Sequence, residues 1–294
     1  MRRPTGAPNI GPRNWEIVRG IIMKDTEIAR RGLLVVGCGK MGSAMLEGWL
    51  SRGLPPEAVW VRDPQPSDWL SEQGVHLNDG LPDDPAVALL AVKPQTMRDA
   101  LPALATFAGG STLFLSIAAG VSLGTYEGML GESSPIVRAM PNTPSAIGRG
   151  ITAIVGNVSA TDTDLDTAEL LLSSVGEVVR LEDEAQIDAV TGVSGSGPAY
   201  VFHMIECLAA AGEAEGLSRD LALQLARATV AGAGALAQET GTAPGTLREN
   251  VTSPNGTTAA GLSVLMDEEA GLPPLIRRTV GAAADRAREL GRDG

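Results

Sequence analysis

The chain has 294 residues, 44% of them apolar and only 3% aromatic, so a length that suits two domains must build its core from Ala, Leu, Val and Ile. A formal net charge of −12 argues against general nucleic-acid binding and against adhesion to anionic membrane surfaces. An anionic ligand must therefore be held locally, by backbone amides or a few placed cations.

Cysteine usage is sparse. Cys38 and Cys207 lie far apart, which gives neither a disulfide framework nor metal-ligand spacing. No metal site is expected, and a reducing, cytoplasmic setting is the simplest reading. No run approaches the length of a membrane span. Residues 1–30 begin with a basic, Pro- and Gly-rich stretch that lacks the apolar segment of a secretory signal. They are expected to form a poorly ordered extension.

Patterned sequence begins at Leu33-Leu34-Val35-Val36, a short apolar run that reads as a buried strand. Gly37-Cys38-Gly39-Lys40-Met41-Gly42 follows, and then a segment of helical spacing that ends at Gly53. Strand-like runs recur at 58–62, 86–94, 112–120, 136–144 and 151–156, separated by helical patterns such as 95–106 and 161–174. Strands alternating with helices predict a parallel sheet covered on both faces. After about residue 185 the strand signal stops. Helical spacing fills 184–216, interrupted at 194–198 by SGSGP, and then 218–240, 243–251, 256–270 and 274–290.

The fold class is therefore α/β: an N-terminal Rossmann-type doubly wound sheet over 31–183, followed by a C-terminal all-α domain over 184–294. The second domain is so rich in Ala and Gly that it has little core of its own. It is expected to be a dimerisation domain, burying its apolar faces against a second copy, with a self-contained bundle as the alternative.

Gly37, Gly39 and Gly42 match G-x-G-x-x-G directly after a strand and at the opening of a helix. The first glycine allows the tight turn, the second lets the backbone approach a pyrophosphate, and the third lets helix and strand pack closely. The helix start offers unpaired amides and a partial positive charge to the phosphates. This predicts a bound dinucleotide. At the end of the second strand, Asp63 stands where an acid would meet the 2′-hydroxyl of NAD, and Arg62 beside it would meet the 2′-phosphate of NADP. Neighbouring residues on a strand point to opposite sides, so only one need face the ligand. The pair leaves both NADP and NAD open as the expected cofactor. Ala91, Val92, Lys93 and Pro94 after one strand, and Ile117, Ala118 and Ala119 after another, should line the same crevice.

Lys24, Lys40 and Lys93 are the only lysines, and none lies in the helical half. That disfavours hydroxyacid dehydrogenases, which place a lysine on the first helix of the second domain. His76 and His203 are the only histidines, and His203 sits on an otherwise apolar helix, where a packed or interfacial role is expected. The second domain is left with hydroxyls, amides and carboxylates. These suit a substrate whose reacting carbon is already electrophilic, such as a protonated imine, anchored so that this carbon lies near a nicotinamide. Rival readings are a reductase of a hydroxy or oxo acid, and a dinucleotide sensor without catalysis.

The segments VVGCGKMG, AVKPQTM, IAAGVSL, MPNTPS, AVTGVSGSGPAYVF and NVTSPNGTTAAGL occur in an order and spacing that resembles the pyrroline-5-carboxylate reductases, over roughly residues 32–290. The resemblance implies a Rossmann-type domain with interleaved helical dimerisation domains, and the NAD(P)H-dependent reduction of 1-pyrroline-5-carboxylate to L-proline, with a homodimer or higher oligomer as the assembly. It implies cofactor contacts from the loop 37–42, Arg62 or its neighbour, Asn78, 91–94 and 117–119, with Asn250 reaching in from the helical domain. On the substrate side it implies Glu184, Ser253, Gly256, Thr257 and Thr258. Amides of the 253–258 turn would hold the substrate carboxylate, and the Thr258 hydroxyl would meet the ring nitrogen. Cofactor and substrate residues of one site would then come from different chains. Asn255 departs from the family's usual second glycine, but Asn tolerates left-handed backbone angles, so the turn should survive.

Overall fold

The computed structural model describes residues 23–293. Residues 1–22 of the expected extension lie outside the described residues. Residues 23–30 differ from that expectation. Met23 and Ile28 are fully buried, and the segment opens helix α1 (Glu27–Arg31) behind a Thr26 cap. Two large apolar side chains packed on the sheet are what order it.

The chain then alternates. Strand β1 (Leu33–Val36) leads into helix α2 (Lys40–Ser51), followed by β2 (Val59–Arg62), α3 (Asp68–Ser71), β3 (His76–Leu77) and β4 (Val87–Leu90). Next come α4 (Pro94–Ala100), β5 (Leu113–Ser116), α5 (Leu123–Leu130), β6 (Ile136–Met140), β7 (Gly150–Gly156), α6 (Asp162–Leu172) and β8 (Gly176–Arg180). Helix α7 (Gln186–Val190) runs into a π-turn at Thr191–Gly195. The helical segment consists of α8 (Gly197–Ala214), α9 (Arg219–Thr240), α10 (Pro244–Asn250), α11 (Thr257–Leu265) and α12 (Leu272–Asp293).

The eight strands form one sheet in the order β3-β2-β1-β4-β5-β6-β7-β8. All neighbours are parallel except β6 and β7, which are antiparallel. The connection between those two is a short loop with a single 3-10 turn, too short for the helical crossover that a parallel pair needs. Along β1, Leu33 and Val35 join one core cluster with Met45, Leu46 and Trp49 of α2. Leu34 and Val36 join the opposite cluster with Met97, Phe114 and Tyr126. Burial on both faces is why these strands read as continuous apolar runs.

The described residues divide into two compact units, one of residues 23–195 and 283–293, the other of Ser196–Ala282. The division falls after Gly195 rather than at residue 184. Ile187 is buried in the sheet's core, and the carbonyl of Ser194 accepts from the Asn142 side chain at 3.1 Å, so residues 184–195 stay with the sheet. The helical unit has a small core of Ala209, Ala222 and Ala226, with Ile205 and Leu223 against it. Phe202, Leu236, Val251 and Val264 are more than half exposed in the single chain. This unit therefore keeps much apolar surface for a partner, the expected mark of an obligate interface. No helix among the described residues is long and apolar enough to cross a membrane.

Candidate active site

The glycine loop has the geometry its spacing predicts. Gly37 takes a left-handed φ of 85°, and a Cβ there would lie 2.9 Å from the Val92 nitrogen and 3.0 Å from the Ala91 carbonyl carbon. Gly42 packs so closely that a Cβ would meet the Gly37 carbonyl oxygen at 3.0 Å. Gly39, by contrast, would place a Cβ with nothing within 4 Å. Gly39 is also the N-cap of α2, and no side chain caps the first turn there. The loop thus presents an open backbone face at an uncapped helix N-terminus, where an anion is favoured. Cys38 is buried, and desolvation pushes its thiol up, so it contributes packing rather than a thiolate. Lys40 is exposed and Met41 half-buried on the first turn.

The two neighbours at the end of β2 separate clearly. The Asp63 carboxylate accepts from the Cys38 amide at 2.6 Å and from the Gln65 amide at 2.8 Å. Asp63 therefore closes the glycine loop from below. Arg62 is exposed, its guanidinium 3.5 Å from the Gly80 carbonyl. Asn78, at φ 53°, clasps the same strand end: its amide donates to Val61, its side-chain oxygen accepts from the Asp63 amide at 3.0 Å, and its side-chain nitrogen donates to the Asp63 carbonyl at 2.8 Å. Both polar atoms of the Asn78 side chain are thereby engaged within the protein.

Ala91 and Ile117 continue the ladder past β4 and β5 through their amides to Val36 and Leu90, which carries both segments to the carboxyl edge of the sheet. Pro94 opens α4 with Lys93 as its N-cap. A cavity of about 410 Å³ sits at this edge, lined among others by Pro94, Gln95, Ala119, Gly120, Thr125 and Leu290. Residues 37–42, 62, 91–94 and 117–119 are therefore gathered by one edge of one unit, the position at which open α/β sheets bind ligands. The open Gly39 face, the uncapped helix and the exposed Arg62 fit a dinucleotide carrying a 2′-phosphate.

Glu184 is not the solvated acid its charged neighbours suggest. Its Oε1 accepts from Arg138 at 2.5 Å and from the Leu123 amide at 2.8 Å. Arg138 is 7% exposed in the middle of β6. An arginine inside IVRAM was the available sign that a carboxylate must meet it, because a buried guanidinium needs a partner.

In the helical unit, Asn250 is the exposed last residue of α10. The turn after it takes Asn255 to φ 59°, as the Asn-for-Gly departure requires. Gly256 is the N-cap of α11 and provides no capping side chain. The Ser253 hydroxyl lies directly over it, in the space a Cβ at Gly256 would occupy. Thr257 and Thr258 form the exposed first turn. The turn therefore brings Ser253, Gly256, Thr257 and Thr258 together around uncapped amides. His203 is exposed rather than packed in the single chain, with Nδ1 2.9 Å from Glu206.

Residues 184–290 match the family model for pyrroline-5-carboxylate reductase dimerisation, and residues 32–120 match the NADP oxidoreductase, coenzyme F420-dependent, model. The chain is 40% identical to the pyrroline-5-carboxylate reductase of Methanosarcina acetivorans, over 87% of this chain and 97% of that one. It is 38% identical to the Pseudomonas aeruginosa enzyme of that name, over 87% and 95% of the two chains. Among solved structures, a pyrroline-5-carboxylate reductase from Coxiella burnetii superposes with a TM-score of 0.82 at 34% identity, covering 88% of this chain and 98% of that one. The NADP-bound Plasmodium falciparum pyrroline carboxylate reductase superposes with a TM-score of 0.76 at 28% identity, over 90% and 99%. The phosphate loop, the Ser/Thr turn and this kinship across nearly the whole length lead to one conclusion: the chain belongs to the pyrroline-5-carboxylate reductase family.

Proposed function

We propose that the chain reduces the imine of 1-pyrroline-5-carboxylate to L-proline, the last step of proline synthesis, in a cytoplasmic setting and as a homodimer or larger assembly. Kinship across 97% of the Methanosarcina acetivorans relative carries this reading. The sheet unit acts as the dinucleotide-binding domain and the helical unit as the dimerisation and substrate domain. Bound NADPH, or NADH, supplies the hydride.

The chain's residues bind and orient. Within the 37–42 loop, the amides from Gly39 onward hold the pyrophosphate at the start of α2, with Gly39 giving the closest approach, since the Gly37 and Cys38 amides already donate to Arg62 and Asp63. Arg62 meets the 2′-phosphate, because Asp63 is already committed to the loop. Residues 91–94 and 117–119 flank the nicotinamide end, with Asn250 and the second side-chain N–H of Asn78 as further cofactor contacts. In the helical unit, the amides of Gly256 and Thr257 with the Ser253 hydroxyl hold the substrate carboxylate. Glu184 also contacts the substrate, its carboxylate oriented by Arg138. The Thr258 hydroxyl hydrogen-bonds the ring nitrogen and fixes its position. Addition of hydride to the protonated imine carbon leaves a neutral secondary amine, so no base is needed to remove a proton from the substrate. A chain without a lysine in its helical half suits that chemistry.

Mixing the purified protein with NADPH and 1-pyrroline-5-carboxylate tests the reading. A substrate-dependent loss of reduced-nicotinamide absorbance is expected, and its absence with both NADPH and NADH would overturn the proposal.

A further inference from the structure

We infer that Tyr126 is a positioning residue for the cofactor: acting through Ser116, its hydroxyl fixes the turn at 117–119 that borders the nicotinamide end. The inference rests on the cofactor site proposed above.

The chain has two tyrosines and three phenylalanines. One of those tyrosines is fully buried on α5, where a phenylalanine would fill the core equally well. A buried phenol needs a partner, and the Tyr126 hydroxyl lies 2.6 Å from the Ser116 hydroxyl, itself fully buried at the end of β5. Ser116 Oγ also accepts from the Ala118 amide at 3.2 Å. The Ile117 amide donates to Leu90 at 3.1 Å, and Gly120 then takes a φ of 76°. The shape of the turn just past the strand thus depends on one serine hydroxyl, held by one tyrosine.

Helix α5, which carries Tyr126, is fastened in turn. Its first amide, on Leu123, donates to Glu184, and Glu184 accepts from Arg138. Arg138 stands beside Ser116 in the β5–β6 register. The polar path therefore closes on itself: Ala118 amide, Ser116, Tyr126, α5, Glu184, Arg138 and back to the strand next to Ser116. Burial pushes the Tyr126 hydroxyl up to about 12, so it keeps its proton throughout the working range of an enzyme. Such a loop constrains a backbone turn more tightly than any of its bonds alone.

Tyr126→Phe, Ser116→Ala and the double variant test this with two readouts that a purely structural role would leave unmoved. One is NADPH affinity, measured by fluorescence titration without substrate. The other is the primary isotope effect on kcat with NADPH deuterated at the transferred position. In each single variant the NADPH Kd is expected to rise about three- to tenfold, the range for one buried hydrogen bond, with the KM for substrate unchanged. The isotope effect should increase, because a displaced nicotinamide makes hydride transfer slower relative to release. The double variant should be no worse than the poorer single one. Wild-type Kd and isotope effect in both single variants, whatever their thermal midpoints, would overturn the inference. Wild-type protein that binds NADPH but fails to turn over substrate would overturn the proposed function instead, and the Kd comparison would still decide the role of Tyr126.

Discussion

Gly39→Ala separates binding from folding more cleanly than other changes in the glycine loop. In the folded protein a Cβ at Gly39 meets nothing within 4 Å, and the residue's φ of −69° is open to any side chain. The cost to stability is confined to the N-cap, where alanine is poorer than glycine by about 0.5–1 kcal/mol. That corresponds to a melting shift of about 1–3 °C for a chain of this size. The cofactor pays the larger penalty. A methyl on the open face keeps a pyrophosphate away from the first-turn amides of α2. Losing two charge-assisted bonds weakens binding by about 3 kcal/mol, or at least about a hundredfold in Kd. Gly37→Ala should behave in the opposite way. It forces a left-handed alanine against the Val92 and Ala91 backbone and should cost more than about 2 kcal/mol of stability. Thermal unfolding and NADPH titration on the two variants provide the test. An unchanged NADPH affinity in a folded Gly39→Ala protein would refute the assignment of the loop.

The remaining predictions follow from the other parts of the site. Thr258→Ala should lower kcat/KM by about 1–3 kcal/mol in transition-state terms with NADPH affinity nearly unchanged, and wild-type kinetics would show that the hydroxyl is not used. Arg62→Gln should raise the KM for NADPH about five- to thirtyfold, the effect of removing one exposed charge from a phosphate, and leave NADH kinetics alone. Equal effects on both nucleotides would refute a 2′-phosphate contact. Tyr126 also predicts an alkaline weakness. Its folded pKa of about 12 exceeds the unfolded value near 10. Its contribution, about 3 kcal/mol, is therefore complete below about pH 10 and is lost as the pH rises toward 12. Urea midpoints should fall across that window in the wild type and fall less in Tyr126→Phe.

Much of this arrangement was legible in the sequence because single segments carried it. The apolar runs of β1, β4 and β5 are buried on both faces, so they stand out without any knowledge of their neighbours. The G-x-G-x-x-G loop is equally local: Gly37 and Gly42 each meet a separate steric need, and Gly39 leaves the backbone face open. What was not legible depended on partners distant in sequence. Strand β8 offers only Gly176–Arg180 after a helix, and with two of its five residues exposed it lacks the continuous apolar run that marks β1, β4 and β5. Strand β3 has two residues. The antiparallel turn of β7 follows from a loop too short to cross over, a fact about length rather than pattern. The bond from the Cys38 amide to the Asp63 carboxylate, which sets Asp63 apart from Arg62, joins residues 25 apart and leaves no local pattern. The links from Glu184 to Arg138 and from Tyr126 to Ser116 are tertiary in the same way. The turn at 253–258, proposed above as the substrate clamp, stands out in the sequence by its hydroxyls and its helix start, and in the single chain its first helical turn is exposed like the apolar faces of the unit that carries it.

The central claim is that hydride passes from a reduced nicotinamide to the imine carbon of 1-pyrroline-5-carboxylate. Its most direct test is to supply NADPH stereospecifically deuterated at each face of nicotinamide C4 in turn and to examine the product by mass spectrometry and NMR. With one of the two labelled cofactors, the account expects L-proline carrying a single deuterium at C5, formed in proportion to the NADPH oxidised. Proline without label from either cofactor, or oxidation of NADPH without proline, would contradict it.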